Sequence, residues 1–128
     1  MADKRAGRDL ELRFARFAGQ TVVAEGELPD TRAWRHIRDQ LLRSGTAPGA
    51  HYSEALGAQS NRDFIHKLSL ALKEQRESVY WVRVTVEAKH APTNASYLLD
   101  EGDQLVASLS ASVRTAKKNR NERDRNES

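Results

Sequence analysis

Phe64-Ile65-His66-Lys67-Leu68-Ser69-Leu70-Ala71-Leu72-Lys73-Glu74-Gln75-Arg76-Glu77-Ser78-Val79-Tyr80-Trp81-Val82-Arg83-Val84-Thr85-Val86 is the stretch on which the fold turns. Phe64, Leu68, Ala71, Leu72, Gln75, Val79, Val82 and Val86 follow one another in steps of one, three and four. That spacing keeps them on one face of a helix with 3.6 residues per turn. The end of the stretch, Val82-Arg83-Val84-Thr85-Val86, alternates as a strand would. The four-residue stepping on both sides favours the helix.

Three connections flank or divide the rest of the chain. Gly57-Ala58-Gln59-Ser60-Asn61-Arg62-Asp63 precedes the quoted helix, and Ser60 with Asp63 resembles a helix start with an acid in its first turn. Leu28-Pro29-Asp30-Thr31 supplies Asp30 or Thr31 as a cap, and Ala91-Pro92-Thr93-Asn94 supplies another connection. Four segments result. The first carries Leu10, Phe14, Phe17, Thr21, Ala24 and Leu28 at helical spacing. The second carries Trp34, Ile37, Leu41, Gly45, Pro48, Tyr52, Ala55 and Leu56, and the fourth carries Leu98, Leu105, Leu109, Val113 and Ala116. Short connections between long helices make antiparallel neighbours. The predicted fold is all-α, an up-and-down antiparallel four-helix bundle over residues 9–116. Residues 1–8 read as a flexible N-terminus and residues 117–128, which lack apolar groups, as a polar, disordered tail.

Pro48 lies inside the second segment, where a proline removes one hydrogen bond and costs about 3 kcal/mol. Gly45-Thr46-Ala47-Pro48-Gly49 is either a loop that breaks the helix or a bend within it. The apolar stripe keeps its phase from Leu41 to Tyr52, which favours one helix bent near Pro48. Gly45 and Gly49, four apart, let another helix backbone approach closely.

With 128 residues, the chain holds one domain large enough for a core without staples. It has no cysteine, which excludes disulfide frameworks and thiolate chemistry. No apolar run reaches the ~18 residues of a membrane span, so the expectation is a cytoplasmic protein with no membrane contact. The net charge is +3. Five basic and three acidic residues fall in the last twelve, so the remainder is close to neutral.

The quoted helix is two-sided. Leu70, Trp81 and Val84 fall roughly opposite the Phe64 stripe at 100° per residue. A large aromatic on the outer face is a common interface anchor, so self-association is expected there.

Gln40-Leu41-Leu42-Arg43-Ser44, Gly49-Ala50-His51-Tyr52-Ser53-Glu54-Ala55, Ser60, Asp63-Phe64-Ile65-His66-Lys67-Leu68, Ala71-Leu72-Lys73-Glu74 and Glu77-Ser78-Val79-Tyr80-Trp81 together resemble the four helix bundle proteins, also described as 23S ribosomal RNA intervening-sequence proteins. The resemblance covers residues 40–81; the flanking helices match in pattern only. It implies a left-handed up-and-down bundle that assembles as a homopentamer. Some members are encoded inside intervening sequences of ribosomal RNA genes, and a related protein is the accessory subunit of diversity-generating retroelements. For most members no biochemical activity is established. His51 stands where the family often has asparagine, and Pro48 where a β-branched residue is usual.

Chemistry finds little purchase. A di-metal bundle site needs Glu-x-x-His on two helices. The chain has one such match, Glu87-Ala88-Lys89-His90. His36, His51, His66 and His90 form no i, i+3 or i, i+4 pair, and neither a Gly-x-Ser-x-Gly elbow nor a phosphate-binding Gly-x-x-x-x-Gly-Lys loop occurs. No catalytic residue, cofactor or metal is therefore assigned. Glu54 is expected to pair with a basic group on the third helix and fix how the helices dock. Lys73 and Glu77 form an i, i+4 pair.

The expected subunit interface comprises Leu70, Trp81, Val84, His51, Tyr52 and Glu54. His51 within it would make assembly sensitive to pH near 6.5, where an ordinary imidazole titrates. Arg13, Arg16, Arg35, Arg38 and Arg43, with Lys117, Lys118 and Arg120, are the candidate contacts for RNA or DNA. In a ring such patches repeat and avidity multiplies weak contacts. The leading expectation is a non-catalytic homo-oligomeric adaptor that contacts nucleic acid. The alternative is a structural oligomer that binds another protein.

Overall fold

The computed structural model describes residues 4–127. Four helices follow in order: α1 (Lys4–Gly26), α2 (Arg32–Leu56), α3 (Asn61–Glu87) and α4 (Ala95–Glu127). Among the described residues there is no strand. Val82–Val86 is helical, and its alternation is a by-product of a helix with two apolar sides. The helices pack as a cycle: α1 on α2, α2 on α3, α3 on α4 and α4 on α1. The diagonal pairs make no close backbone contact, so α1 and α3 sit at opposite corners and run the same way, as in an up-and-down bundle.

α2 and α3 begin where the sequence offers a cap. The Thr31 side chain accepts from the Trp34 N–H, and the Ser60 side chain accepts from the Asp63 N–H at 3.0 Å. These bonds satisfy donors that a helix start leaves unpaired. The end of α3 is less ordinary. Lys89 takes a positive φ of 62°, while the His90 N–H reaches the Thr85 carbonyl and the Lys89 N–H reaches that of Val86. This is the six-to-one and five-to-two pairing of a Schellman cap, usually built on glycine.

Most of the predicted stripes form the core, though Leu56 and Val86, placed on them, are exposed. Phe14, Phe17, Leu41, Leu68, Val82, Leu98, Leu105 and Leu109 are almost wholly sequestered. Pro48 lies buried within α2, which continues through it as a single helix from Arg32 to Leu56. Gly45 and Gly49 do admit a neighbour. A Cβ at Gly45 would strike the Thr21 side chain, and one at Gly49 would sit 3.0 Å from the Phe14 Cβ. Gly102 does the same for α4, where a Cβ would meet Val79 at 2.7 Å.

Both ends differ from the expectation. Of residues 1–8, 1–3 lie outside the described residues, while 4–8 belong to α1. Gly7 is buried near Leu56 and Tyr52, a contact that hydropathy misses because glycine brings no side chain of its own. Residues 117–127, expected as a disordered tail, continue α4. They hold no proline or glycine and are rich in good helix formers. They extend beyond the core, as Ala116 is the last buried residue.

Candidate functional site

The outward face of α3 begins as helical spacing and ends as a cluster of rings. Leu70, Trp81 and Val84 are half-buried, and Tyr80 beside them is 57% exposed. Tyr80 meets Trp81 edge to face at 5.0 Å, and His36 of α2 meets Trp81 from the other side at 5.7 Å. Below this cluster Arg43 spans the α2–α3 seam. It donates to Glu74 at 2.6 Å and Glu77 at 2.9 Å. Those carboxylates, through the Glu77 hydrogen bond first, raise the Arg43 pKa. Glu77 thus bonds across to α2, while Lys73 stays exposed.

The other interface candidates divide. Glu54 pairs with Lys67 of α3 at 2.8 Å, the expected link between the second and third helices. That hydrogen bond lowers the Glu54 pKa and raises that of Lys67. Tyr52, assigned from the sequence to the subunit interface, lies in the monomer core. It is 6% exposed with its ring 5.3 Å from that of Phe14. The apolar stripe on which Tyr52 falls points inward, which explains the correction. Burial, followed by the charge of Glu11, raises its phenol pKa. His51, the residue before it, is half-buried, and its Nδ1 is buried with no hydrogen-bond partner.

Most of the candidate nucleic-acid arginines are engaged within the fold. Arg13 grips Glu101 through two hydrogen bonds, at 2.6 and 3.1 Å, and donates to Gln104. The Glu101 bond is the main cause of its raised pKa. Arg38 bonds Glu25 at 2.8 Å and lies 3.7 Å from Asp30, and Arg35 lies 4.0 Å from Asp30. With Arg43 held by Glu74 and Glu77, these guanidiniums serve inter-helix seams and the α1–α2 corner. Arg16 is exposed. Lys117 and Lys118 are exposed and Arg120 half-buried on the free end of α4. Arg114 and Arg123 are also exposed there, with Glu122 and Asp124 among them.

Sequence reasoning missed one surface. Leu12 is 64% exposed, and Val22 and Val23 are 52% exposed, all on the side of α1 away from the core. The wheel argument that found Leu70 and Trp81 would have found them too. Among the described residues no three His, Cys, Asp or Glu side chains gather closely enough to hold a metal ion. No helix there is long and apolar enough to cross a membrane.

A cysteine-free antiparallel bundle with buried apolar seams and a ring cluster on its outer face defines a small helical-bundle protein. The chain belongs to the 23S rRNA-intervening sequence protein family, whose model matches residues 13–111. A crystal structure of a protein of unknown function from the S23 ribosomal protein family of Bacteroides thetaiotaomicron is similar, with 28% identity and a TM-score of 0.76. The similarity covers 84% of this chain and 97% of that one. Comparison with curated proteins returns no match.

Proposed function

We propose that the protein is a non-catalytic, cytoplasmic homo-oligomer that serves as an assembly or adaptor module. The observation that carries this reading is the Tyr80–Trp81–His36 cluster on the outer side of α2 and α3. Rings held edge to face are already ordered before a partner arrives, so little entropy is lost on docking. Trp and Tyr at the centre of such a patch are the residues on which interfaces depend most. Five subunits is the number that the family resemblance favours. Native mass spectrometry of untagged protein tests the reading. A discrete multiple of the chain mass is expected, five for the family number, and Trp81→Ala is expected to reduce it to single chains. A wild-type monomer would end the proposal.

A second reading, contact with RNA or DNA, is favoured by the exposed basic run Arg114, Lys117, Lys118 and Arg123 on the free end of α4. Repeated around an oligomer, that run would track phosphate backbones without reading sequence. Binding to a single-stranded RNA should weaken steeply as salt rises, and Lys117→Gln with Lys118→Gln should reduce the salt slope. Equal retention at low and high salt would remove nucleic acid and leave a structural oligomer that binds another protein.

A further inference from the structure

Arg13, Arg38 and Arg43, on α1 and α2, are each held by a carboxylate. The cations on the outer side of α3 and α4 are mostly not. At 100° per residue, Lys73, Arg76, Tyr80 and Arg83 fall within about 80° of one another on α3. All four are exposed. Arg83 meets Asp103 at 3.5 Å, which turns this stripe to the α4 side of the helix. On α4, Arg114 and Lys117 lie within about 60° of Asp103 and are exposed too. Because the two helices run antiparallel, Arg114 and Lys117 carry the stripe past Lys73 towards the free end of α4, over about 25 Å in all. The side chains of Lys73, Arg76, Arg114 and Lys117 form no ion pair or hydrogen bond among the described residues.

The acids nearby do not neutralise these four. Asp103 is taken by Arg83, and Glu77, at the α2 edge of the face, is taken by Arg43. Glu87 lies beyond Arg83 and Asp124 beyond Lys117, one at each end. Lys73 with Arg76, and Arg114 with Lys117, are like charges a turn apart, which repel on a helix. The fold gains nothing from that repulsion, and a polyanion laid along the face relieves it. Tyr80 decides which polyanion. Its ring is 57% exposed, one turn from Arg76 on one side and from Arg83 on the other. It leans edge to face on Trp81 at 5.0 Å, so it is ordered beforehand. An acidic peptide offers carboxylates to the cations and nothing to the ring. A single strand offers phosphates to the cations and an unpaired base to stack on the ring.

We propose that the outer face of α3 and α4 binds single-stranded nucleic acid, with a base stacked on Tyr80 and phosphates on Lys73, Arg76, Arg114 and Lys117. This deepens the nucleic-acid reading and rests on it. It moves the centre of the contact from the free end of α4 to α3 and adds a base to the phosphates. Tyr80 turns to the α4 side of α3, and Trp81 turns to the α2 side, where it meets His36. A subunit seated on Trp81 and His36 therefore need not cover the strand's path.

Fluorescence anisotropy of a labelled single-stranded oligoadenylate of about 15 nucleotides, titrated with the full chain over a range of salt, tests the face. Tyr80→Leu should weaken binding about tenfold at every salt, and Tyr80→Phe should bind as wild type, because only the stack changes. Lys73→Gln with Arg76→Gln should instead flatten the slope of log affinity against log salt by about 1.4, two phosphates' worth for a single strand. That pair leaves Tyr80 and Trp81 in place, so it reads the face even where Tyr80→Leu alters subunit assembly. Wild-type binding by both α3 variants, with a loss in Lys117→Gln plus Lys118→Gln, would overturn the α3 face and leave the nucleic-acid reading standing. Polyglutamate that competes as well as the oligonucleotide would show a general anion surface and overturn the stack. No binding by the wild type at low salt would overturn both.

Discussion

α1 is held on its two sides by different physics. Against α2 it meets backbone. Gly45 and Gly49 let Thr21 and Phe14 press onto the second helix with no room for a methyl group at Gly45. Against α4 it is held at intervals by polar bridges. Arg13 reaches Glu101 and Gln104, the Asn94 side chain donates to the Gln20 carbonyl, and Thr93 donates to Glu27. This α1–α4 seam is the slighter of the two. Polar bridges cross the first seam too, from Arg38 to Glu25 and from Ser53 to Glu11, but there they stand beside a more extensive backbone contact. Stability should therefore reside in the α1–α2 crossing, while the α1–α4 bridges set alignment.

Gly45→Ala tests the first half and should have the largest effect. The new methyl overlaps the Thr21 side chain, so α1 must shift, at a cost of about 2–3 kcal/mol in urea unfolding. Thr21→Ala in the same chain should recover part of that loss, a coupling expected only for groups in contact. Arg13→Met tests the second half. Arg13 is partly exposed and Glu101 mostly buried, so losing the bridge should cost about 1 kcal/mol. If Arg13→Met costs as much as Gly45→Ala, the contrast between the seams is wrong.

The two seams were unequally legible in the sequence. Gly45 and Gly49 stand four apart inside an unbroken apolar stripe, and that pattern alone predicts a close helix approach. Leu98, Leu105, Leu109 and Val113 were legible for the same reason, since periodicity is a property of one helix. The polar bridges were not. Arg13 and Glu101 are 88 residues apart, and no local pattern says which carboxylate an arginine meets. Hence Arg13, Arg38 and Arg43 read as free cations in the sequence and are ion-paired in the structure. Tyr52 shows a related failure. Its own stripe marks it as core, while the family motif around it drew it to the interface. The outer face of α1 was readable as spacing but is masked by the stronger core stripe of the same helix.

The turn that returns the chain towards the α1–α4 seam offers a smaller test, in the stabilising direction. Lys89 is held in the left-handed region, at φ 62°, by the Schellman cap. A non-glycine residue there is strained by about 1 kcal/mol, and glycine is not. Lys89→Gly should raise stability by about 0.5–1 kcal/mol, less than the strain because glycine gains freedom in the unfolded chain. Thermal or urea unfolding reads the change. A loss of stability would mean that the lysine side chain contributes more than its backbone costs.

The Glu54–Lys67 bridge should have the smallest effect, and it asks whether an exposed polar bridge between helices contributes at all. Its carboxylate is half-exposed, so solvent screens the pair strongly. The hydrogen bond from Lys67 lowers the folded-state pKa of Glu54 below its unfolded value. Stabilisation is therefore complete above the unfolded pKa and lost as pH falls through the folded one. Lys67 works in the opposite sense. Its folded pKa is raised, so its share is present below the unfolded value and lost as pH climbs through the folded one. Wild type should melt slightly above Glu54→Gln at neutral pH, and the difference should vanish in acid, once Glu54 is protonated in both states. A difference that persists there would come from packing of the Glu54 stem, and alignment of α2 on α3 would then owe nothing to its charge.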